Sequence, residues 1–341
     1  MKKLISALLL LCLTATMLIM PAMAESQPRD KTVYVENDPH VLEIDGALYY
    51  VNDDGTYAEG KYALYDNAAY YFTHKDAKGL RFDLVQVTDH ILGISTPGAC
   101  WYIVTGDERA MVIDTSYGYG NTRELVELLI PGVPYEVAIT HFHSDHVGGS
   151  FDFEGVTNVY LSELDAAMKP RMTQEARLGD KTHVVLEDIA PYSETFEFTI
   201  VKDGDTFDLG NYEIEVLIMS GHTMGSCMYL LKGDRILLSG DTLCPTPGVS
   251  MDTASTIETY YHELQRIQQR EDEWDKLLTS HIGCNTSPKK ILGYLIHGCE
   301  WIMENYPENV AKEAGEILYS KSYKNTQIRF STARVWDEPA Q

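Results

Sequence analysis

The chain of 341 residues is sparing in three things. Cysteine is the first: six residues, with no C-x-x-C pair among them, are too few to staple a protein of this size into a disulfide scaffold. Basic residues are the second. Lys and Arg number 27 against 51 Asp and Glu, a formal charge of −24. A surface of that sign repels phosphate backbones, so no nucleic acid is expected as a partner, and anionic lipid surfaces are disfavoured. Long apolar runs are the third: past residue 24 no stretch approaches the roughly 20 residues that span a bilayer. The apolar content of 44% nevertheless excludes a disordered chain, and the length predicts at least one module beyond a single core.

The N-terminus is the exception to the third absence. Lys2 and Lys3 precede a mostly apolar stretch, Leu4 to Met20, and Pro21-Ala22-Met23-Ala24 supplies an A-x-A cleavage site. Residues 1–24 therefore read as a Sec signal peptide, and the protein is expected to be secreted or held at the cell surface. Beyond it stand Cys100, Cys227, Cys244, Cys284 and Cys299, read as small buried apolar side chains.

Tyrosine is clustered. ALYYVNDDGTYAEG (47–60) and AAYYFTHKDAKG (68–79) match at an offset that superposes Tyr49 and Tyr50 on Tyr70 and Tyr71. Each unit reads as an aromatic strand, a polar turn and a glycine-terminated return. The units resemble the tyrosine-rich cell-wall-binding repeats of secreted Gram-positive proteins, which implies a Gram-positive envelope. Residues 25–80 are thus expected to form a β-hairpin extension, either contacting the cell wall through 47–79 or packing on the catalytic core.

From about residue 83 short apolar strands alternate with helices. WYIVTG (101–106) and AMVIDT (110–115) read as a hairpin. Asn121 is placed to cap a helix bearing Leu125, Leu128 and Leu129, and helices are also expected over 161–178, 255–270 and 287–304. The strand VAIT (137–140) runs into His141-Phe142-His143-Ser144-Asp145-His146-Val147-Gly148-Gly149. Three histidines and an aspartate within six residues follow no core periodicity. Imidazole and carboxylate together suit Zn²⁺, and Fe and Mn also use them. The chain then returns three times at the ends of apolar strands, with Gly221-His222-Thr223, Ser239-Gly240-Asp241-Thr242 and Ser280-His281-Ile282-Gly283.

This ordered set resembles the metallo-β-lactamase superfamily of binuclear metallohydrolases, over roughly residues 83–305. The resemblance implies an α/β fold of four layers, an αβ/βα sandwich with two sheets face to face, occupying 81–341. It implies that His141, His143 and His222 hold one metal, that Asp145, His146 and His281 hold a second, and that Asp241 bridges two Zn²⁺. Asp114, ending AMVIDT, matches an early aspartate that supports the ligand loop from behind. A metal-bridging hydroxide would attack the substrate, with Asp145 orienting it or shuttling a proton.

The intact Asp241 resembles the glyoxalase II and lactonase branch, which implies a small-molecule ester, lactone or thioester as substrate. The alternatives are a phosphodiesterase of the same fold, β-lactamase activity, diiron redox chemistry and a non-catalytic wall-binding protein. Tyr260 and Tyr261 are candidate oxyanion donors, with aromatic packing as the other reading.

Overall fold

A strand covered on both faces reads as an unbroken apolar run, and CWYIVT, LLSG and CMYLL are such runs. The computed structural model describes residues 32–34, 41–44, 47–50 and 81–337, apart from 97–98, 119–120, 172–190, 282 and 308–314. In chain order the first half holds β1 (Thr32–Tyr34), β2 (Val41–Ile44), β3 (Ala47–Tyr50), β4 (Arg81–Gln86), β5 (Ile91–Ser95), β6 (Cys100–Thr105), β7 (Ala110–Ile113), α1 (Thr122–Leu129), β8 (Tyr135–Ala138), α2 (Ser144–Val147), β9 (Val159–Ser162), α3 (Glu163–Ala166) and β10 (Thr199–Val201). The second half holds β11 (Thr206–Asp208), β12 (Glu213–Ile218), β13 (Cys227–Leu231), β14 (Ile236–Gly240), β15 (Gly248–Val249), α4 (Ile257–Gln268), β16 (Lys276–Thr279), β17 (Thr286–Pro288), α5 (Ile291–Asn305), β18 (Ile317–Tyr319) and β19 (Arg329–Ser331).

Each half contributes one large sheet. The first has eight strands in the order β1-β4-β5-β6-β7-β8-β9-β10, antiparallel as far as β7 and parallel from there on. The second has six, β11-β12-β13-β14-β16-β17, antiparallel except where β14 meets β16. Strand alternation then builds the layers. Cys100, Tyr102 and Val104 of β6 share a core with Ile214, Val216, Tyr229 and Leu238 of the second sheet. Trp101 and Ile103 face the opposite way, toward Leu125, Val126 and Leu129 of α1. Beyond the second sheet, Leu217, Met228, Leu230 and Leu237 pack with Tyr260 and Leu264 of α4 and Leu295 and Ile302 of α5. The result is the expected αβ/βα sandwich.

The cap of α1 forms as the sequence suggests, with Asn121 accepting from Glu124 N at 3.0 Å; the side chain of Leu128 lies outside the described residues. The segment 161–178 departs from its helical reading. Residues 161–162 end β9, α3 is a single turn, and 172–178 lie outside the described residues. Ser162 and Lys169-Pro170-Arg171 break the periodicity there, since a serine favours a cap and a proline stops a helix. In the tyrosine-rich segment, β3 pairs backward with β2, Ile44 facing Ala47, while residues 51–80 lie outside the described residues. β1 pairs with β4 and forms the edge of the eight-stranded sheet.

The two sheets are tied together along one rim. Cys227 N donates to Thr140 O and Cys100 N to Ser280 O, both at 2.6 Å. Tyr229 Oη donates to Ile139 O at 2.8 Å, and Tyr102 Oη to Thr279 O at 2.6 Å. Every acceptor lies within two residues of His141 or His281, so these bonds fix where the histidine-bearing strand ends stand relative to each other. Tyr229→Phe keeps the ring and loses the bond. We expect it to lower stability by about 1–2 kcal/mol, read as a lower urea midpoint at unchanged slope.

Candidate metal centre

β8 ends at Ala138, and His141 follows three residues later, before the chain turns into α2, whose N-cap is His143. One helical turn brings Asp145 and His146 back beside the strand end. The pair of glycines that follows has a steric cause: a Cβ on Gly148 would lie 2.4 Å from Tyr117 O, so only glycine lets the 115–118 loop close over the turn. His222 follows β12, Asp241 follows β14 and His281 follows β16. Gly240 adopts φ 52°, and a Cβ there would meet Thr140 Cβ at 2.9 Å, so the backbone leading to Asp241 approaches the backbone leading to His141 as closely as glycine allows.

All seven residues expected as ligands converge. His141, His143 and His222 form one group, Asp145, His146 and His281 a second, and His141, His146 and Asp241 a third, with donor atoms in each group within 4.8 Å of one another. Asp241 Oδ2 lies 2.8 Å from His281 Nε2, 3.5 Å from His222 Nε2 and 3.7 Å from His146 Nε2, between the first two groups. Asp145 Oδ2 is 3.6 Å from both His146 Nε2 and His281 Nε2.

The far sides of the rings set the tautomers. His222 Nδ1 donates to Gly248 O at 2.8 Å, which leaves Nε2 as a lone pair. His146 Nδ1 faces Asp114 Oδ2 at 2.9 Å. Asp114 also accepts from Thr140 N at 2.7 Å and from Thr140 Oγ1 at 2.8 Å. Because that hydroxyl proton goes to the carboxylate, Thr140 Oγ1 accepts from His141 Nδ1 at 3.1 Å, and His141 Nε2 is left as a lone pair too. Asp114, at φ 64°, therefore supports both rings, as its position in the sequence suggests.

Three of the inward atoms, His141 Nε2, His146 Nε2 and Asp241 Oδ1, are buried without a hydrogen-bond partner among the described residues. His143 Nδ1 stands 2.9 Å from His222 Nε2. Buried acceptors aimed at one another are costly unless a cation lies among them. The electrostatics agree. Burial, and then the neighbouring His222 and His146, hold the His143 ring down to about 3; burial likewise lowers His141 and His222. Those rings are neutral and have lone pairs to share. Burial raises Asp241, yet His146 and His281 outweigh it and keep the carboxylate ionised. Burial works against the charged form of His146 and His281 as well, but the carboxylates of Asp145 and Asp241 outweigh it and raise both rings, so these two would give up a proton on binding a cation. Three neutral imidazoles, two that can be deprotonated and two carboxylates fit divalent ions.

The comparisons with known proteins agree with this geometry. The family described as "Metallo-beta-lactamase superfamily" matches residues 95–281. The chain belongs to that superfamily. The acyl-coenzyme A thioesterase MBLAC2 of Gallus gallus is 26% identical over 207 residues, covering 53% of this chain and 71% of that one. A hydroxyacylglutathione hydrolase of Methylococcus capsulatus is 30% identical over 129 residues, 38% of this chain and 41% of the other. Among solved structures, a metallo-beta-lactamase from Pontibacter korlensis aligns with a TM-score of 0.45 at 22% identity, over 64% of this chain and 92% of that one. As a metallo-β-lactamase-superfamily hydrolase, the protein is an enzyme.

Three residues of the site escape sequence reasoning. Thr140 is the hub just described. Thr253 Oγ1 reaches His143 Nε2 at 3.3 Å, and its loop gives no motif. Asp165, fully buried, accepts from Phe142 N at 2.9 Å, Thr223 Oγ1 at 2.8 Å and Gly225 N at 2.9 Å, tying the first ligand loop to the loop of His222. Its one sequence signal is Ser162 three residues earlier, the cap of α3. Tyr260 is no oxyanion donor: it is buried and donates to Thr242 O at 2.5 Å, and Tyr261 reaches Glu300 at 3.4 Å.

Two substitutions test the supports. Asp165→Asn turns an NH₂ toward one of the backbone N–H donors; we expect a loss of about 1–3 kcal/mol in urea unfolding of the metal-free protein. Asp114→Ala removes the acceptor behind His146, and we expect metal affinity to fall about 10–100-fold in chelator competition.

Proposed function

We propose that this superfamily member is an exported hydrolase of thioesters or similarly activated esters, with two divalent ions, zinc foremost, held by the seven-residue cluster. The observation that carries the reading is the position of Asp241 between two complete ligand groups. In this reading His141, His143 and His222 would hold one ion and Asp145, His146 and His281 the other, with Asp241 placed to contribute to both. Bound divalent ions supply Lewis acidity for the developing oxyanion charge and acidify water to a pKa of about 7.

The chain's own groups do the rest. Asp145, a fifth exposed at the mouth, turns Oδ2 toward His146 and His281, which leaves Oδ1 to take a proton from the attacking water and pass it to the leaving group. A thiolate needs little help to leave, since a free thiol has a pKa of about 8.5. One carboxylate is therefore enough. The names of the relatives, an acyl-coenzyme A thioesterase and a hydroxyacylglutathione hydrolase, both describe release of an acyl group from sulfur, which favours that class over phosphodiesters. Export rests on the signal-like residues 1–24.

The test is a metal analysis of the purified chain followed by hydrolysis of an acyl thioester, a lactone and a phosphodiester reporter, beside His143→Ala. We expect two divalent ions per chain, thioester hydrolysis abolished by chelation, and a loss of about a hundredfold or more in the variant, the equivalent of about 3 kcal/mol or more of transition-state stabilisation. Thioester turnover that survives both treatments, or turnover of the phosphodiester alone, would overturn the assignment.

A further inference from the structure

His281 is the most exposed of the seven ligand candidates, 40% open, and stands 2.8 Å from Asp241 Oδ2. Behind its loop two cysteines from different sheets meet, each only 2% exposed. Cys100 begins β6 in the first sheet, and Cys284 follows β16 in the second. Cys284 N donates to Cys100 Sγ at 3.2 Å, and the two thiols share a hydrogen bond. Cys100 N donates in turn to Ser280 O, next to His281, at 2.6 Å. The pair is already in register on both the backbone and the side-chain side.

The packing shows that this meeting is built in. Cys284 adopts φ 58°, a left-handed conformation that a non-glycine residue keeps only when its surroundings enforce it. Across from it, a Cβ on Gly93 would lie 2.7 Å from Cys284 Cβ and 2.8 Å from its Sγ. Glycine at 93 is what makes room for the sulfur. The remaining described cysteines have other surroundings: Cys227 and Cys299 are buried in other parts of the cores, and Cys244 Sγ contacts Asp241 O at 3.4 Å.

We propose that Cys100 and Cys284 are an oxidative modification site, closing to a disulfide that clips the His281 loop to the opposite sheet. The oxidant is a disulfide-bearing molecule. The Cys100 thiolate attacks one of its sulfurs and expels the first thiol; the Cys284 thiolate then attacks the Cys100 sulfur of the mixed disulfide and expels the second. The protein gives up two protons and two electrons, and the oxidant becomes two thiols. The hydrogen bond from Cys284, opposed by burial, holds the Cys100 thiol down to about 6, which favours it as the first nucleophile; burial pushes Cys227 up to about 12. The cross-link would join residues 184 apart in sequence and restrict the loop of the least buried ligand.

The test equilibrates the full chain with mixtures of oxidised and reduced glutathione, on the native protein and after denaturation and refolding in the same mixtures, then alkylates free thiols and maps peptides. A Cys100–Cys284 linkage that appears in one two-electron transition, with Cys227, Cys244 and Cys299 alkylated, supports the site. Alkylation of both Cys100 and Cys284 at the most oxidising ratio in both arms, or linkage of either to another cysteine, overturns it. The second readout is chelator competition for bound zinc, and it alone rests on the metal reading above. Oxidation should tighten the more weakly held ion about 10-fold, as expected for changes behind a ligand, and Cys284→Ser should remove that response. Equal affinity in both redox states would sink the positioning role while leaving the linkage result to stand or fall by itself.

Discussion

Donor atoms of one kind, made to face one another at the end of a sandwich, are the constraint around which this molecule is organised. His143 Nδ1 stands within hydrogen-bond distance of His222 Nε2, at 2.9 Å, and His141 Nε2, His146 Nε2 and Asp241 Oδ1 are buried without hydrogen-bond partners among the described residues. Nothing in hydrophobic packing favours that arrangement; it has to be enforced from behind. Asp114 and Thr140 do so for two rings, the Gly248 carbonyl for a third and Thr253 for a fourth. A buried carboxylate bonded to a hydroxyl, a backbone N–H and an imidazole is fully satisfied, so the cost of the unsatisfied side falls on the inward atoms alone. A cation placed among them removes that cost, which makes metal binding and local order one equilibrium.

The sheets make this enforcement rigid. Both are buried on two faces, and side chains alternate between an outer core and the shared inner one. Register is consequently strict, because a slip of one residue would exchange the two cores. The cross-sheet bonds at Thr140, Ile139, Thr279 and Ser280 transfer that strictness to the rim. The ligands sit at strand ends for the same reason. A strand end is the last position whose place is fixed by the ladder and the first at which the backbone is free to turn a side chain inward.

What was legible in the sequence follows from this division. The H-x-H-x-D-H run is visible because four ligands fall within six residues and cannot be mistaken for a core face, and His222, Asp241 and His281 are visible because each follows an apolar strand within two residues of a glycine. Thr140 and Asp165 carry comparable weight yet look ordinary, since a buried threonine and a capping-turn aspartate differ from their surface counterparts only in what they touch. The segment 161–178 suggested a helix on its spacing, but the strand partner of β9 claims its first residues. In the aromatic segment the tyrosine pattern points forward to a return strand, whereas β3 pairs with β2, which precedes it. Tyr260 illustrates the converse: a phenol near a site is a core residue when a backbone carbonyl already takes its proton.

Charge connects the site to the whole protein. A chain of formal charge −24 slows the approach of anions from a distance. At physiological ionic strength, however, that field decays over about 8 Å, so a group already at the mouth responds mainly to the cluster itself. Two carboxylates with neutral imidazoles leave a pair of divalent ions net positive before any anionic ligand is counted. The surface and the site therefore act on different parts of a substrate: the surface disfavours a highly anionic carrier, whereas the site attracts the carbonyl oxygen as it gains charge. On the reading proposed above, a small, weakly charged acyl thioester would satisfy both and a polyanion only the second.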